Sequence, residues 1–460
     1  MPRGKLNQLT WRRPALENLL ALREPLSDVA LLLREVGVPT ANKATAREEA
    51  VELLHAAAEV EHSLLVQYLY AAYSLPLPDD TTRSRLIAQI AHQEMGHLMT
   101  VQNLLLAVGG PIYFDRQDRS PNPGDDPIPF RLEPLSLDAL SKYIAAEMPA
   151  LGKIPDPEER AQVENIRRHA EEICGVGVHR VGALYVKIYW LFQSTDQPEG
   201  PLQLPNDGSL QSGFHLDARD FADPTITANF QAQPNDWGVS PTVNPGFYID
   251  PVSSRAEALA ALHRIMVQGE GWEAGEDTHY RRFLRLYRTF SGSASPVPVP
   301  VNPTAGEPLL DPIQEENRIS NPLSQNFAYL FNVRYRFLLA LLIHAMIRPR
   351  NDASALRQDY LLPWGRTEMR RFLRGLAELL VRLPRRNPSD VLHAAPTFEL
   401  GTTTLPETEA EVLVTYRALL NETARIIDQI RQYAQTPGTS LLAEIEQDDA
   451  ARREIIQQLL

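Results

Sequence analysis

The run LIAQIAHQEMGHLMTVQNLLLAV at residues 86–108 constrains the fold more than any other stretch of this chain. It is too long for one strand, and its apolar residues recur at helical spacing. Yet its centre, HQEMGH, holds two histidines, a glutamine and a glutamate. On a helix, residues three, four and seven apart share a face. Around Glu94 those neighbours are Ile87, Ile90, Ala91, His97, Leu98 and Val101. Glu94 and His97 therefore project with the apolar stripe, toward a core, whereas His92 falls off it. A lone buried carboxylate is costly unless it is paired, protonated or bound to a metal.

Glu61 repeats the pattern. Its helical neighbours are Leu54, Ala57, Ala58, Leu64, Leu65 and Tyr68, all apolar or aromatic. On spacing alone, a Glu held by an Arg or Tyr is as good a reading as a metal ligand. Glu-x-x-His at i, i+3 is the unit that carboxylate four-helix bundles use to hold two metals. Carboxylates neutralise and bridge hard cations, and imidazole supplies nitrogen to a first-row transition metal. A second copy follows as Glu276-Asp277-Thr278-His279, just after Gln268-Gly269-Glu270-Gly271. By itself that segment would be an exposed acidic turn; beside Glu61 and Glu94 it reads as a third ligand-bearing element, with Glu270 or Glu276 as its carboxylate.

A third helix should give one more carboxylate. Glu171 and Glu172 adjoin Arg167 and Arg168 and read as a solvated face. His179 lies among Gly175, Val176, Gly182, Ala183 and Val186, a small apolar face, and is either a ligand or a core histidine satisfied by a carbonyl. His55, His62 and His92 lie off the ligand stripes, behind the ligands or at the surface. His263 sits on the face of Glu270, and His344 reads as a core histidine.

Prolines and glycines divide the rest. Residues 1–43 form an arm, 44–290 a helical unit with an irregular insertion at 195–252, 291–312 a proline-rich linker, and 313–460 a further helical region. Thr45 and Glu48 have capping-box spacing, and Gly109-Gly110 is a helix stop. A third long helix is expected from Pro157 to Gln193, weakened at Gly175 and Gly177, and a fourth is interrupted over 269–275. Four more helices are expected at about 316–348, 352–383, 406–435 and 438–459. No strand series is evident, so the class is mainly α.

Net charge is −13, which makes nucleic acid a poor partner. The single cysteine, Cys174, cannot form an internal disulfide, and the N-terminus lacks the apolar core of a secretory signal. The most apolar window, FLLALLIHAMI, is too short to span a bilayer. A cytoplasmic protein without a membrane partner is expected.

Four blocks together carry a resemblance: AEVEHSLLVQYLYAAYSL, AHQEMGHLMTVQNLLLAVGG, VGALYVKI and QGEGWEAGEDTHYRRF. Over residues 45–290 the chain resembles the ferritin-like proteins of the iminophenyl-pyruvate dimer synthase type, which couple amino-acid-derived imines in violacein and chromopyrrolic acid biosynthesis. FNVRYRFLLALLIHAMI, AELLVRLP and AAPTFEL resemble that family's C-terminal helical part. The resemblance implies a ferritin-like four-helix bundle followed by a second helical region, with Glu61, Glu94, His97, Glu270 and His279 at ligand positions. The family's third-helix motif, Ile-Gly-Glu-(Phe/Leu)-Tyr, reads Val181-Gly182-Ala183-Leu184-Tyr185 here, so Ala183 stands where a carboxylate would be. Either His179 replaces it, or one metal binds, or the pair is rearranged.

The leading expectation is a non-haem oxidoreductase with one or two iron ions, manganese being the alternative metal, acting with O2 or peroxide on a small amino-acid-derived substrate. The insertion and Tyr68 would shape its pocket. The competing readings are a catalytically silent helical scaffold and a protein that stores iron or handles peroxide. Oligomeric state, including a homo-oligomer, is left open.

Overall fold

Thr45 opens the first long helix as its sequence predicts. Its hydroxyl accepts from the Glu48 backbone N–H at 3.2 Å, and the Glu48 carboxylate accepts from Thr45 N–H at 3.1 Å. This capping box starts α1, Ala46–Tyr73. In the computed structural model the described residues are 4–12, 32–33, 36–75, 81–118, 130–175, 181–194, 200–202, 204, 215–238, 244–269, 277–290, 296–306, 316–401 and 404–459.

The helix carrying HQEMGH is α2, Thr81–Ala107, and it packs along the length of α1. It stops at Gly109, whose φ of +64° is a left-handed conformation that favours glycine. Next come α3, Leu137–Glu147, capped by the Ser136 hydroxyl, and α4, Pro157–Cys174, capped by Asp156. The expected kinked third helix is instead two helices. Gly175, at φ +73°, ends α4, and α5 runs separately over Val181–Phe192. Then follow α6, Arg255–Gln268, and α7, His279–Thr289. α3 packs on α4 and α7, while α5 packs on α6 and α1.

The C-terminal half is α8, Pro322–Ile347; α9, 357–380, in which α-helical and π-helical turns alternate; α10, Glu409–Arg431; and α11, Thr439–Leu459. These match the four expected helices. By length and composition α8 could cross a membrane, unlike the shorter apolar window within it, but 89% of its most apolar window is buried inside the protein. It is a core helix. One hydrophobic cluster runs from Leu6 to Ile456, joining both halves. The only strands among the described residues are β1, Thr10–Arg12, and β2, Val38–Thr40, paired antiparallel with Trp11 opposite Pro39. Three-residue strands leave no alternation to read.

Arg334 of α8 lies fully buried between Glu368 of α9 and Asp449 of α11, bonding Glu368 Oε2 through Nε at 3.0 Å and Asp449 through Nη1 at 2.8 Å. Arg452 of α11, also fully buried, bonds the same Glu368.

Of the described insertion, Leu202, Leu204 and Leu216 bond to the end of α5, and the part from Ala222 to Asp250 is a strap laid across α2. Asn103 donates to the carbonyls of Ala232 and Asp250 at 3.0 and 2.9 Å and accepts from Ala232 N–H at 2.8 Å. Thr100 accepts from Asp250 N–H at 3.1 Å. On its other side, arginines of the C-terminal half hold the strap: Arg357 donates to Gln231 O at 2.8 Å and Arg366 to Asp236 O at 2.7 Å. The strap passes so close to α2 that a Cβ on Gly96 would lie 2.3 Å from the Tyr248 carbonyl oxygen. Glycine is required there by approach, although alanine suits a helix better by about 1 kcal/mol. Gly96→Ala is expected to destabilise the protein by a net ~1–3 kcal/mol through overpacking. A lowered urea midpoint, with faster proteolysis at residues 244–250, is the outcome to look for; an unchanged midpoint would mean that the strap yields freely.

Candidate metal centre

Glu61 and Glu94 face one another from adjacent helices because each sits on the apolar stripe of its own helix. Both are buried, as are His97 and His279. Two groups of ligand-type atoms result: Glu61 with Glu94 and His97, and Glu94 with Glu147 and His279, the atoms within each group lying within 4.8 Å of one another. Glu94 belongs to both. Its Oε2 lies 2.8 Å from His97 Nδ1, and its Oε1 lies 3.0 Å from His279 Nδ1. Glu61 Oε2 is 3.4 Å from His97 Nδ1, and Glu147 Oε2 is 3.4 Å from His279 Nδ1.

Glu147 is the carboxylate that sequence reasoning missed. It is the last residue of α3, and the third-helix carboxylate expected between residues 157 and 192 comes from this preceding helix instead. A signal was present. Residues three, four and seven before Glu147 are Ile144, Tyr143 and Leu140, the same apolar stripe that singled out Glu61 and Glu94. Ala183 is buried in α5, and two residues on, Tyr185 donates its hydroxyl to Glu61 Oε1. The helix with the missing carboxylate thus contributes a phenol. Tyr68 donates in the same way to Glu147 Oε1. Each outer carboxylate therefore has one oxygen tied by a tyrosine.

His279 does not sit in a helix interior three residues after a glutamate, as the second Glu-x-x-His reading had it. Thr278 is an extended N-cap accepting from Arg281 N–H, and His279 is the first residue of α7. Glu270, Glu276 and His179 lie outside the described residues. Gly269, at the end of α6, borders the cluster, for a Cβ there would be 3.5 Å from Glu147 Oε2 and 3.7 Å from His97 Cε1.

The remaining histidines sort by contact. His62 is buried and bonds the Tyr335 hydroxyl at 2.5 Å, linking α1 to α8. His55 stacks on Tyr113, His92 is exposed and His263 is half-buried. His344 is a buried core histidine beside Tyr416 and Glu409, in line with its sequence reading.

The electrostatics are those of acceptors crowded in a dry site. Burial pushes Glu61 and Glu147 up to about 7. Glu94 is driven the other way: burial would raise it, but His279 and His97 on either side hold it well below the usual carboxylate range. Burial opposes charge on His279, yet Glu94 and Glu147 outweigh it and bring it to about 9. His97 is raised for the same reason by Glu61 and Glu94.

These residues fit a cation. Glu61 Oε2, Glu94 Oε1 and His279 Nδ1 are buried and make no hydrogen bond, although Glu94 Oε1 and His279 Nδ1 are only 3.0 Å apart. Buried polar atoms without a hydrogen-bond partner are rare, and a cation would satisfy them. Three carboxylates and two imidazoles, dry and convergent, are a donor set for a transition metal.

A family model described as Ferritin-like matches residues 54–288, over half of the chain. The chain belongs to the ferritin-like family. The matched span takes in every residue of the cluster and lies within the resemblance read over residues 45–290. A dichlorochromopyrrolate synthase from Lentzea aerocolonigenes is 26% identical over 443 residues, covering 84% of this ferritin-like chain and 39% of the relative. A 2-imino-3-(indol-3-yl)propanoate dimerase from Chromobacterium violaceum is 23% identical over 367 residues, covering 72% of the chain and 32% of the relative. The chain therefore spans well under half the length of these curated relatives. No solved structure matches it.

Proposed function

We propose that this chain is a non-haem, metal-dependent oxidoreductase that oxidatively couples a small amino-acid-derived imine in specialised-metabolite biosynthesis. The observation that carries the proposal is the double cluster sharing Glu94. Iron is the metal proposed, with manganese as the alternative. Glu61 and His97 would hold one ion, Glu147 and His279 the other, and Glu94 would bridge them. The bound metal would supply redox change and Lewis acidity toward O2 or peroxide and substrate.

The side chains account for what surrounds that chemistry. Tyr185 and Tyr68 fix the outer oxygens of Glu61 and Glu147, leaving the inner oxygens to converge. Burial holds the Tyr68 phenol protonated, well above its ordinary range, so it remains a donor throughout the working pH range. Near-complete exclusion of water from the five ligand residues strengthens every charge interaction among them. The name of the Chromobacterium violaceum relative, a 2-imino-3-(indol-3-yl)propanoate dimerase, supports a substrate of the indolyl imino-acid class. Joining two such molecules by one new bond releases two electrons and two protons, which O2 or peroxide would accept.

The direct test supplies Fe(II)-loaded protein with 2-imino-3-(indol-3-yl)propanoate and peroxide or O2, and follows coupled dimer by mass spectrometry. Dimer above the level given by metal-free protein is expected. Consumption of peroxide with no coupled product from indolyl or phenyl imino acids would overturn the coupling assignment and favour peroxide handling.

Metal uptake should depend on pH in a defined direction. Protons occupy Glu61 and Glu147 below about 7 and His279 below about 9 in the metal-free protein, and they compete with the ion. Co(II) affinity is therefore expected to rise from pH 6 to pH 9 with measurable proton release, and to fall steeply below 7. An affinity that is flat over that range would show that the ion binds elsewhere.

A further inference from the structure

The two histidines of the cluster are tethered by one repeated device. His97 Nε2 lies 2.9 Å from Gln268 Oε1, and His279 Nε2 lies 3.0 Å from Gln93 Oε1. Each glutamine spends its amide N–H on the strap: Gln93 Nε2 donates to Pro245 O and Gln268 Nε2 to Gly246 O, both at 2.7 Å. An amide whose nitrogen is committed to a carbonyl must present oxygen at its other side. That oxygen can only accept, so each histidine carries a proton on Nε2, and Nδ1 is the atom aimed at the carboxylates. Two adjacent carbonyls of one turn thus dictate the orientation of two imidazoles on different helices.

The turn itself is built for this. Gly246 has φ +81°, and a Cβ there would lie 2.6 Å from Gln93 Nε2 and 2.7 Å from Gln268 Nε2. Both amides press on the face that a side chain would occupy. Arg282 Nη1 also donates to Gln93 Oε1 at 3.2 Å, fixing that amide further.

We propose that Gln93 and Gln268, locked by the carbonyls of Pro245 and Gly246, are positioning residues that set both cluster histidines as Nε2–H donors and aim Nδ1 at the metal. The inference rests on the reading that Glu61, Glu94, Glu147, His97 and His279 hold a metal. It gives the insertion a defined task, since its turn orients ligands that it does not touch. Outer hydrogen-bond partners of metal-bound histidines fix ring orientation, and losing one typically costs 10–100-fold in metal affinity.

The test compares the full-length protein with Gln93→Met, Gln268→Met and Gly246→Ala, using Co(II) as the probe. Two readouts are needed: Co(II) affinity with its visible absorption spectrum, and the imidazole N–H signals of ¹⁵N-histidine protein without metal. The unsubstituted protein should show two slowly exchanging Nε2–H signals. Gln93→Met should remove that of His279 and Gln268→Met that of His97, each with an affinity loss of about 10–100-fold. Gly246→Ala should weaken both signals and change the Co(II) spectrum, although it alters no group that touches a histidine. Should Gly246→Ala fail to fold, the two methionine variants decide the matter. Co(II) bound by the unsubstituted protein, with signals and affinity unchanged in all three variants, overturns the tether and leaves the metal assignment standing. Two signals lost one by one in a protein that never binds Co(II) or iron uphold the tether and overturn the metal assignment.

Discussion

Replacing Glu94 by alanine is expected to empty both halves of the centre at once. Glu94 supplies one oxygen to the His97 group and the other to the His279 group, so its loss deprives both of a shared, negatively charged donor. The fall in Co(II) affinity should exceed the ~100-fold upper figure for outer hydrogen-bond partners, because a directly convergent atom is removed. Glu61→Ala and Glu147→Ala should differ from it in kind. Glu61 borders only His97, and Glu147 only His279, so each substitution should halve the stoichiometry and leave one ion bound. Metal analysis after gel filtration, with circular dichroism to confirm the helices, reads all three. If Glu94→Ala retains two ions per chain, Glu94 is not shared. If Glu147→Ala retains two while Glu94→Ala loses both, the second half is built from some other carboxylate.

The largest stability effect is expected far from the centre, at Glu368→Ala. Glu368 is fully buried and takes hydrogen bonds from both Arg334 and Arg452, themselves without exposure to water. Asp449 also pairs with Arg334, and Asp448 with Arg452, so each arginine keeps one carboxylate when Glu368 is lost. The substitution still strips both buried guanidiniums of their shared acceptor, and the cost is expected at the low end of the ~3–5 kcal/mol for breaking a buried pair. Urea denaturation of metal-free protein should show a midpoint lowered accordingly, with Glu368→Gln intermediate because it keeps an acceptor. A loss below ~1 kcal/mol, the scale of an exposed pair, would mean that water reaches the arginines.

Much of the centre was legible because burying a carboxylate leaves a mark on a helix. Glu61, Glu94 and His97 stood out as polar residues ringed by apolar ones at three, four and seven positions. The long C-terminal helices were legible through the same periodicity. Glu147 carries an equally clear ring on one side, but it ends its helix, so the residues beyond it supply no second half to the pattern. His279 was picked out as the end of a helical Glu-x-x-His, whereas its helix begins at His279 itself, and Glu276 lies outside the described residues. Gln93 and Gln268 were invisible as tethers. Their partners are backbone carbonyls more than twenty residues away in one case and about 150 in the other, and a carbonyl has no letter in the sequence. The departure at Ala183 had seemed to cost the centre a ligand; the structure instead places a phenol from α5 on Glu61.

The order in which the strap and the ligands lie along the chain bears on how the centre is assembled during synthesis. By the time α2 has left the ribosome, Glu61, Glu94 and His97 are available together, while Gln268, the strap carbonyls and His279 have yet to be made. At ribosomal speeds of ~5–20 residues per second, that interval is on the order of ten seconds or more. If these residues hold a metal as proposed, the nascent chain would carry three of the five side chains with an untethered imidazole throughout that interval. Choice among divalent ions would then fall to the finished fold, in which the strap carbonyls fix Gln93 and Gln268 beside the two histidines.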